Sequence, residues 1–273
     1  MAVSPTRYRN ADISSILSQM PAPPAIEFRD VSYRLGETQV LRKFSLQIKR
    51  GENFILLGRS GSGKTTTLKL INRLLSPTEG AVWVNGKPNS QADLIRLRRS
   101  IGYVIQEVGL FPHFNVARNI ALVPTIEGWP ETRIRARVDE LLQLTGLPPE
   151  IGNRFPHQLS GGQRQRVGVA RALAADPEIL LMDEPFGALD PLTRDELQRE
   201  FLELQKNLGK TVVFVTHDLR EALRLASRIG LMEAGQLVTI LRPDEFLHST
   251  DPWAAAYVRA FQDPLESRIR GAS

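Results

Sequence analysis

The chain contains no cysteine in 273 residues. That excludes a disulfide framework, a cysteine-ligated metal and a thiol nucleophile, and it fits a reducing compartment. No apolar run approaches the ~18 residues that a membrane-crossing helix requires, so the sequence is not expected to span a membrane itself. The start carries no apolar stretch ahead of a small-residue cleavage site, and secretion is not expected. Aromatic residues make up only 7%. None interleaves the arginine clusters at 94–99 or at Arg133, Arg135 and Arg137, so nucleic-acid stacking has no support and no nucleic-acid partner is expected.

What is present is ordinary for a globular protein: 42% hydrophobic and 24% charged residues. The length allows one large domain, or a core with a subdomain. The net charge of +5 suits an anionic partner such as a phosphorylated ligand or lipid head groups, although any single basic cluster is equally a solvated face.

Residues 1–24 read as an N-terminal extension. Ile13, Ile16, Leu17 and Met20 share helical spacing until Pro21, Pro23 and Pro24 end it; a short docking helix and an unstructured lead both fit. Strand patterns follow at Ile26–Phe28, Phe44–Ile48 and Asn53–Leu57, a helix over Lys64–Leu75, and a strand at 81–84 closed by the hairpin pair Asn85-Gly86. The middle is helical, with Ile134, Val138, Leu141 and Leu142 on one face and Gly146 at the helix end. Strands return at 179–182, 211–215, 229–232 and 237–240. Strands alternating with helices predict an α/β fold: a parallel sheet with helices on both faces. The helix-rich insert at about 107–165 reads as a subdomain and the tail from Pro243 as short helices.

Two motifs carry chemistry. Gly58-Arg59-Ser60-Gly61-Ser62-Gly63-Lys64-Thr65, followed by Thr66, fits the phosphate-loop pattern between an apolar strand and a helix. Its backbone N–H groups would curl around phosphates, Lys64 would reach the β- and γ-phosphates, and Thr65 would bind Mg²⁺. Ile179–Met182 is an apolar strand that ends in Asp183 and Glu184. Asp183 would hold Mg²⁺ through its water shell, and Glu184 would act as general base on the attacking water. Two further apolar strands deliver His217, a candidate donor to a γ-phosphate, and Gln106, an amide able to touch Mg²⁺ or the water. Ser160-Gly161-Gly162-Gln163 opens a helical pattern as a helix N-terminus suited to an anion. A plain serine cap accounts for Ser160 but leaves a glutamine beside a second glycine without a reason.

The phosphate loop, Gln106, Leu159-Ser-Gly-Gly-Gln163, Asp183-Glu184, Ala188-Leu-Asp190 and His217 occur in the order found in ABC-type ATPases, and the chain resembles that family over about residues 26–240. The resemblance implies a P-loop NTPase fold: a RecA-like core with a parallel sheet, a small antiparallel β subdomain and a helical subdomain, with the ATPase domain spanning 25–240. It implies ATP and Mg²⁺ as ligands. It further implies a second copy of the chain packed head to tail. Ser160, Gly161, Gly162 and Gln163 of one copy would then cover the γ-phosphate held by the other, and Asp190 would lie across that interface. One position departs from the family, which stacks an aromatic ring on adenine from the loop after the first strand. Here Leu35 holds that place, with Tyr33 two residues earlier. Leucine offers no π face, and Tyr33 substitutes only if the loop is shifted.

The wording of IGYVIQEVGLFPH, PHQLSGGQRQRVGVARALAADP and LMDEPFGALDPLTRDELQ resembles the ATPases of osmoprotectant importers for glycine betaine, choline or carnitine. This implies multi-span permease subunits, indirectly a substrate-binding protein, and a peripheral place on the cytoplasmic face of the membrane. Gly109–Phe114 supplies apolar and aromatic groups suited to a permease groove, and a satellite core beneath the insert accounts for it equally. The tail from 241 is too short for the regulatory domain pair that many members carry. An ATPase for another solute or lipid shares the same chemistry. A soluble ABC ATPase acting on DNA or ribosomes would show a long coiled-coil insert or two cassettes, neither of which is visible, and a non-hydrolysing nucleotide binder conflicts with Lys64 and Glu184.

Overall fold

The computed structural model describes residues 23–106 and 108–270, with 262–270 as backbone. The helical pattern of Ile13 to Met20 and its stop at Pro21 lie outside the described residues. From the amino end come β1 (Ile26–Leu35), β2 (Thr38–Ile48), β3 (Asn53–Gly58), α1 (Lys64–Ile71), β4 (Glu79–Val84) and β5 (Lys87–Pro88). Next are α2 (Leu94–Arg99), β6 (Ile101–Val104), α3 (Val116–Ile126), α4 (Glu131–Leu144) and α5 (Gly161–Leu173). The remainder is β7 (Ile179–Asp183), α6 (Pro191–Leu208), β8 (Thr211–Thr216), α7 (Leu219–Leu225), β9 (Arg228–Glu233), β10 (Gln236–Leu241), α8 (Pro243–Leu247) and α9 (Pro252–Arg270).

Six strands form one sheet in the order β10-β9-β3-β8-β7-β6. All are parallel except β10, which pairs antiparallel with β9. The central strands are continuous apolar runs because both faces of the sheet are covered. Alternate residues therefore enter different cores. Ile55 and Leu57 of β3, Leu180 and Met182 of β7, and Phe214 of β8 pack with residues of α5, α6 and α7. Phe54, Leu56, Leu181 and Val213 pack on the other face with α1 and the second sheet. That second sheet is antiparallel, in the order β2-β1-β4-β5. The expected helices on both faces are thus complete on one face only. On the other, the antiparallel sheet takes much of the cover, since a parallel sheet needs apolar cover but not helical cover.

The hairpin at Asn85-Gly86 is found, with φ of 51° and 76°, the left-handed pair that a two-residue turn matching strand twist requires. Helix α1 is shorter than its predicted span of Lys64–Leu75. The Asn72 side chain accepts from the Leu74 N–H at 3.1 Å, and Arg73 takes φ 55°, which ends the helix before Ser76-Pro77. The tail departs from short helices: α8 is short, but α9 runs for 19 residues. The basic clusters are structural in part. Arg98 donates to the Arg73 carbonyl at 2.8 Å, and Arg137 donates to the Leu173 carbonyl at 2.8 Å. Arg133 sits over the Trp129 ring.

Candidate active site

The parallel strands place their carboxyl ends on one edge, where ligands of open α/β sheets bind. β3 delivers the loop 58–65, β7 delivers Asp183 and Glu184, β8 leads to His217 and β6 to Gln106. The register sets Leu57 beside Thr216 and Asp183 beside Val215, so the four strand ends finish level. They border one cavity of about 670 Å³, within the range of small-molecule sites.

Within the loop, Arg59, Ser60, Gly61, Gly63, Lys64, Thr65 and Thr66 line that cavity. Gly63 takes φ 102°, a conformation that glycine alone adopts freely. Gly58 is required for close approach, since a Cβ there would lie 2.5 Å from the Met232 carbonyl oxygen. Ser62 is buried and its Oγ has no hydrogen-bond partner. Lys64 Nζ donates to the carbonyls of Gly58 at 2.8 Å and Arg59 at 2.9 Å. Burial lowers the Lys64 pKa, opposed by the charges of Glu184 and Asp183.

Asp183 sits behind the cavity, 5% exposed. Its Oδ1 accepts from the Thr65 hydroxyl at 2.8 Å, and Tyr103 donates more loosely to Oδ2 at 3.4 Å. Burial raises the Asp183 pKa against the pull of the Thr65 bond. Burial likewise pushes the Tyr103 phenol well above its ordinary value, with the Asp183 charge adding to it. A hydroxyl and a carboxylate in contact are the hard oxygen donors that Mg²⁺ takes, and Thr65 with Asp183 therefore fits that ion.

Glu184, Gln106 and His217 also line the cavity. Glu184 takes φ 43°, a conformation that costs ~1–3 kcal/mol outside glycine and collects at functional sites. Its Oε2 lies 3.0 Å from His217 Nδ1. That contact engages Nδ1 of His217 and leaves its Nε2 for a γ-phosphate. To donate to Glu184 and to a phosphate together, the ring must carry both protons.

The remaining sequence candidates lie outside this cavity. Ser160 caps α5 and Asp190 caps α6. Ser160 Oγ accepts from the Gln163 N–H at 3.2 Å, and Gln163 Oε1 accepts from the Ser160 N–H at 3.0 Å. This reciprocal capping box corrects the expectation that a plain cap leaves Gln163 without a reason. Gly162 has a packing reason too: a Cβ would lie 2.8 Å from Thr193 Cγ2 at the start of α6. Gly161 has none, since a Cβ there would meet nothing closer than Leu189 Cδ2 at 3.5 Å. Asp190 Oδ1 accepts from the Thr193 N–H at 3.1 Å, and that bonding holds its carboxyl below the ordinary range. The structure thus brings the α5 start and Asp190 together, away from the phosphate loop of the same chain.

Leu35 is 67% exposed, and Tyr33 packs against the core under the antiparallel sheet. Neither borders the cavity. Four residues do so without having been signalled: Val40, Ala256, Tyr257 and Ala260. The one available hint was that 256, 257 and 260 fall on one helical face. A buried network behind His217 was also missed. Glu221 accepts from the Thr216 hydroxyl at 2.6 Å and from Gln198 Nε2 at 3.0 Å. No single segment reveals it, because its members come from three elements.

In the segment after Gln106, Asn119 clamps the main chain by accepting from the Phe111 N–H at 2.8 Å and donating to the Phe114 carbonyl at 3.0 Å. Leu110 packs against the core while Phe111 stays exposed. Arg98, Gly109, Phe111, Leu122 and Arg171 border a groove of about 290 Å³ there.

Comparison with known proteins places the chain. The model of the family described as "ABC transporter" matches residues 41–187, more than half of the sequence. The glycine betaine/carnitine/choline transport ATP-binding protein OpuCA of Bacillus subtilis (strain 168) is 52% identical over 78% of this chain and 56% of its own length. The glycine betaine uptake system ATP-binding protein YehX of Escherichia coli (strain K12) is 49% identical over 90% of this chain and 79% of its own. The chain spans little more than half the length of several curated relatives it matches. Among solved structures, the ATP-binding cassette MJ0796, as a dimer in a post-hydrolysis state with ADP and Pi, superposes with TM-score 0.72 at 35% identity, covering 80% of this chain and 98% of its own. With a family model over more than half of it and relatives about half identical over most of it, the chain belongs to the ABC transporter family.

Proposed function

We propose that the chain is the ATP-hydrolysing, energy-coupling subunit of an ABC importer for a quaternary-amine osmoprotectant, working as a head-to-tail pair of copies with ATP between them. The observation that carries the chemistry is the convergence of the phosphate loop, Gln106, Glu184 and His217 on one cavity. On binding, the triphosphate takes over the contacts of Lys64, whose ammonium now rests on loop carbonyls. Thr65 and Asp183, with Gln106, would hold Mg²⁺, which supplies charge neutralisation at the β- and γ-phosphates. Glu184 accepts the proton of the attacking water, and His217 Nδ1 fixes the orientation of that carboxylate.

The second copy follows from what the cavity lacks. The α5 start, Ser160 to Gln163, and Asp190 are adjacent to each other but border no part of it, so they are available to a nucleotide on another chain. The dimeric cassette among similar structures supports this arrangement. ATP binding would favour the closed pair and hydrolysis would release it.

Transport rests on the relatives, whose names assign them to glycine betaine, carnitine and choline. Among the described residues no helix is long and apolar enough to cross a membrane, so the load is carried by permease subunits, with a substrate-binding protein upstream. The subunit sits peripherally on the cytoplasmic face. The groove beside the exposed Phe111 supplies the permease contact, and its clamped loop joins that contact to Gln106.

The test is Glu184→Gln. Turnover should fall by about 10²–10⁴-fold, the usual worth of a positioned base, and ATP should trap a dimer visible by light scattering. Undiminished hydrolysis refutes the base assignment, and a monomer under saturating ATP refutes the sandwich. A multi-span permease that co-purifies with the chain and takes up glycine betaine when both are reconstituted tests the load.

A further inference from the structure

The cavity has two unlike walls. The phosphate loop forms the polar one; Val40, Ala256, Tyr257 and Ala260 form the apolar one. Three of those four come from α9, at i, i+1 and i+4, a spacing that keeps them on one side of the helix. The opposite side of α9 is anchored, since Ala254 and Val258 are buried in the core and Phe261 meets the Arg220 guanidinium. The helix is therefore fixed over the site.

A nucleoside triphosphate held by its phosphates at the loop must lay its sugar and base against the remainder of the cavity. Rings there are few. His217 is engaged with Glu184, which leaves Tyr257. Its hydroxyl is buried beside the Arg59 main chain of the phosphate loop, which fixes the ring at the cavity wall. Leu35 is solvent-exposed and borders nothing here.

Resting on the nucleotide reading above, we propose that α9 is the nucleoside wall of the site and that Tyr257 contacts the nucleoside. The triphosphate would then be read by two distant parts of the chain: loop 58–66 for the phosphates and the carboxyl-terminal helix for the base and sugar.

The experiment uses the full chain with Mg²⁺ and two probes, ATP and inorganic tripolyphosphate, followed by calorimetry. Tyr257→Ala should weaken ATP about tenfold, the scale of one lost base–aromatic contact, and leave tripolyphosphate unchanged; Tyr257→Phe should bind both as the parent does. Ala260→Trp, at an exposed position, is the second variant and should obstruct ATP but not tripolyphosphate even if Tyr257→Ala fails to fold. Should Tyr257→Ala and Ala260→Trp bind ATP like the parent, the wall is refuted while the nucleotide reading stands. Equal loss of both probes also refutes it, because the helix would then be supporting the loop alone. A parent that binds neither probe removes the nucleotide reading itself, and the inference with it.

Discussion

Glu221 offers the sharpest test of how the site is built. It is 3% exposed and accepts from the Thr216 hydroxyl at 2.6 Å and Gln198 Nε2 at 3.0 Å. Thr216 Oγ1 in turn accepts from the Asp218 N–H at 2.9 Å, so the main chain on both sides of His217 hangs from this carboxylate. Glu221→Ala leaves two buried donors without an acceptor. Each such loss costs ~1–3 kcal/mol, partly offset because a buried acid is also removed, and a net loss of ~3 kcal/mol is reasonable. At ~2–4 °C per kcal/mol for a chain of this size, Tm should fall by ~6–12 °C in a calorimetric or circular-dichroism melt. Turnover should drop further than stability explains, since His217 loses its support. The pH dependence has a fixed sign. Burial raises the Glu221 pKa, against its bonds to Thr216 and Gln198, so the unfolded chain ionises first as pH rises. The contribution of Glu221 to stability is therefore full in acid and declines toward neutrality, and Glu221→Gln should gain on the parent over that interval. A Glu221→Ala melt within ~1 °C of the parent, outside the ~6–12 °C span, would show that these hydrogen bonds carry no net stability and would refute the network.

The two glycines of the α5 start should behave oppositely. Gly162→Ala forces a Cβ against Thr193 and should cost ~1–3 kcal/mol by overpacking, read as a lower Tm. Gly161→Ala has room and gains helix propensity worth up to ~1 kcal/mol; its Tm should hold or rise, so any loss of turnover reports on a ligand. Ser160→Asp keeps a good cap and sets a negative charge at a helix N-terminus, which is stabilising. It should melt like the parent yet fail to dimerise with ATP, because it opposes the γ-phosphate; normal dimerisation would count against Ser160 as a phosphate contact.

Sequence reading succeeded where one physical constraint dominates. Strands β3, β7 and β8 are apolar throughout because both sheet faces are buried, and a parallel sheet then obliges Gly58, Asp183 and His217 to meet at one edge. It failed where a feature depends on chain paths that no local pattern encodes. The Thr216–Glu221–Gln198 network joins β8, α7 and α6. The α9 wall requires the tail to return across the sheet edge, and its alanines read only as a helix. The left-handed backbone of Glu184 is invisible because glutamate gives no sign of φ 43°.

The α5 start shows a different limit, since its pattern was legible twice. Ser160-x-x-Gln163 is a capping-box signature, and the same residues also match an anion site. The structure reconciles the two. The box consumes the Ser160 and Gln163 N–H groups, but the first turn of any helix leaves its leading amides without intrahelical partners. Those remaining here are the amides of Gly161, which is half-buried, and of Gly162, which is buried beside Thr193 and Leu197. A cap therefore does not compete with a phosphate for this terminus: it satisfies the two end groups of the turn and leaves the two between them without an intrahelical partner. That division of labour explains why replacement of Gly161, where an added Cβ would meet nothing closer than Leu189 at 3.5 Å, should be felt only when a second copy brings a nucleotide to it.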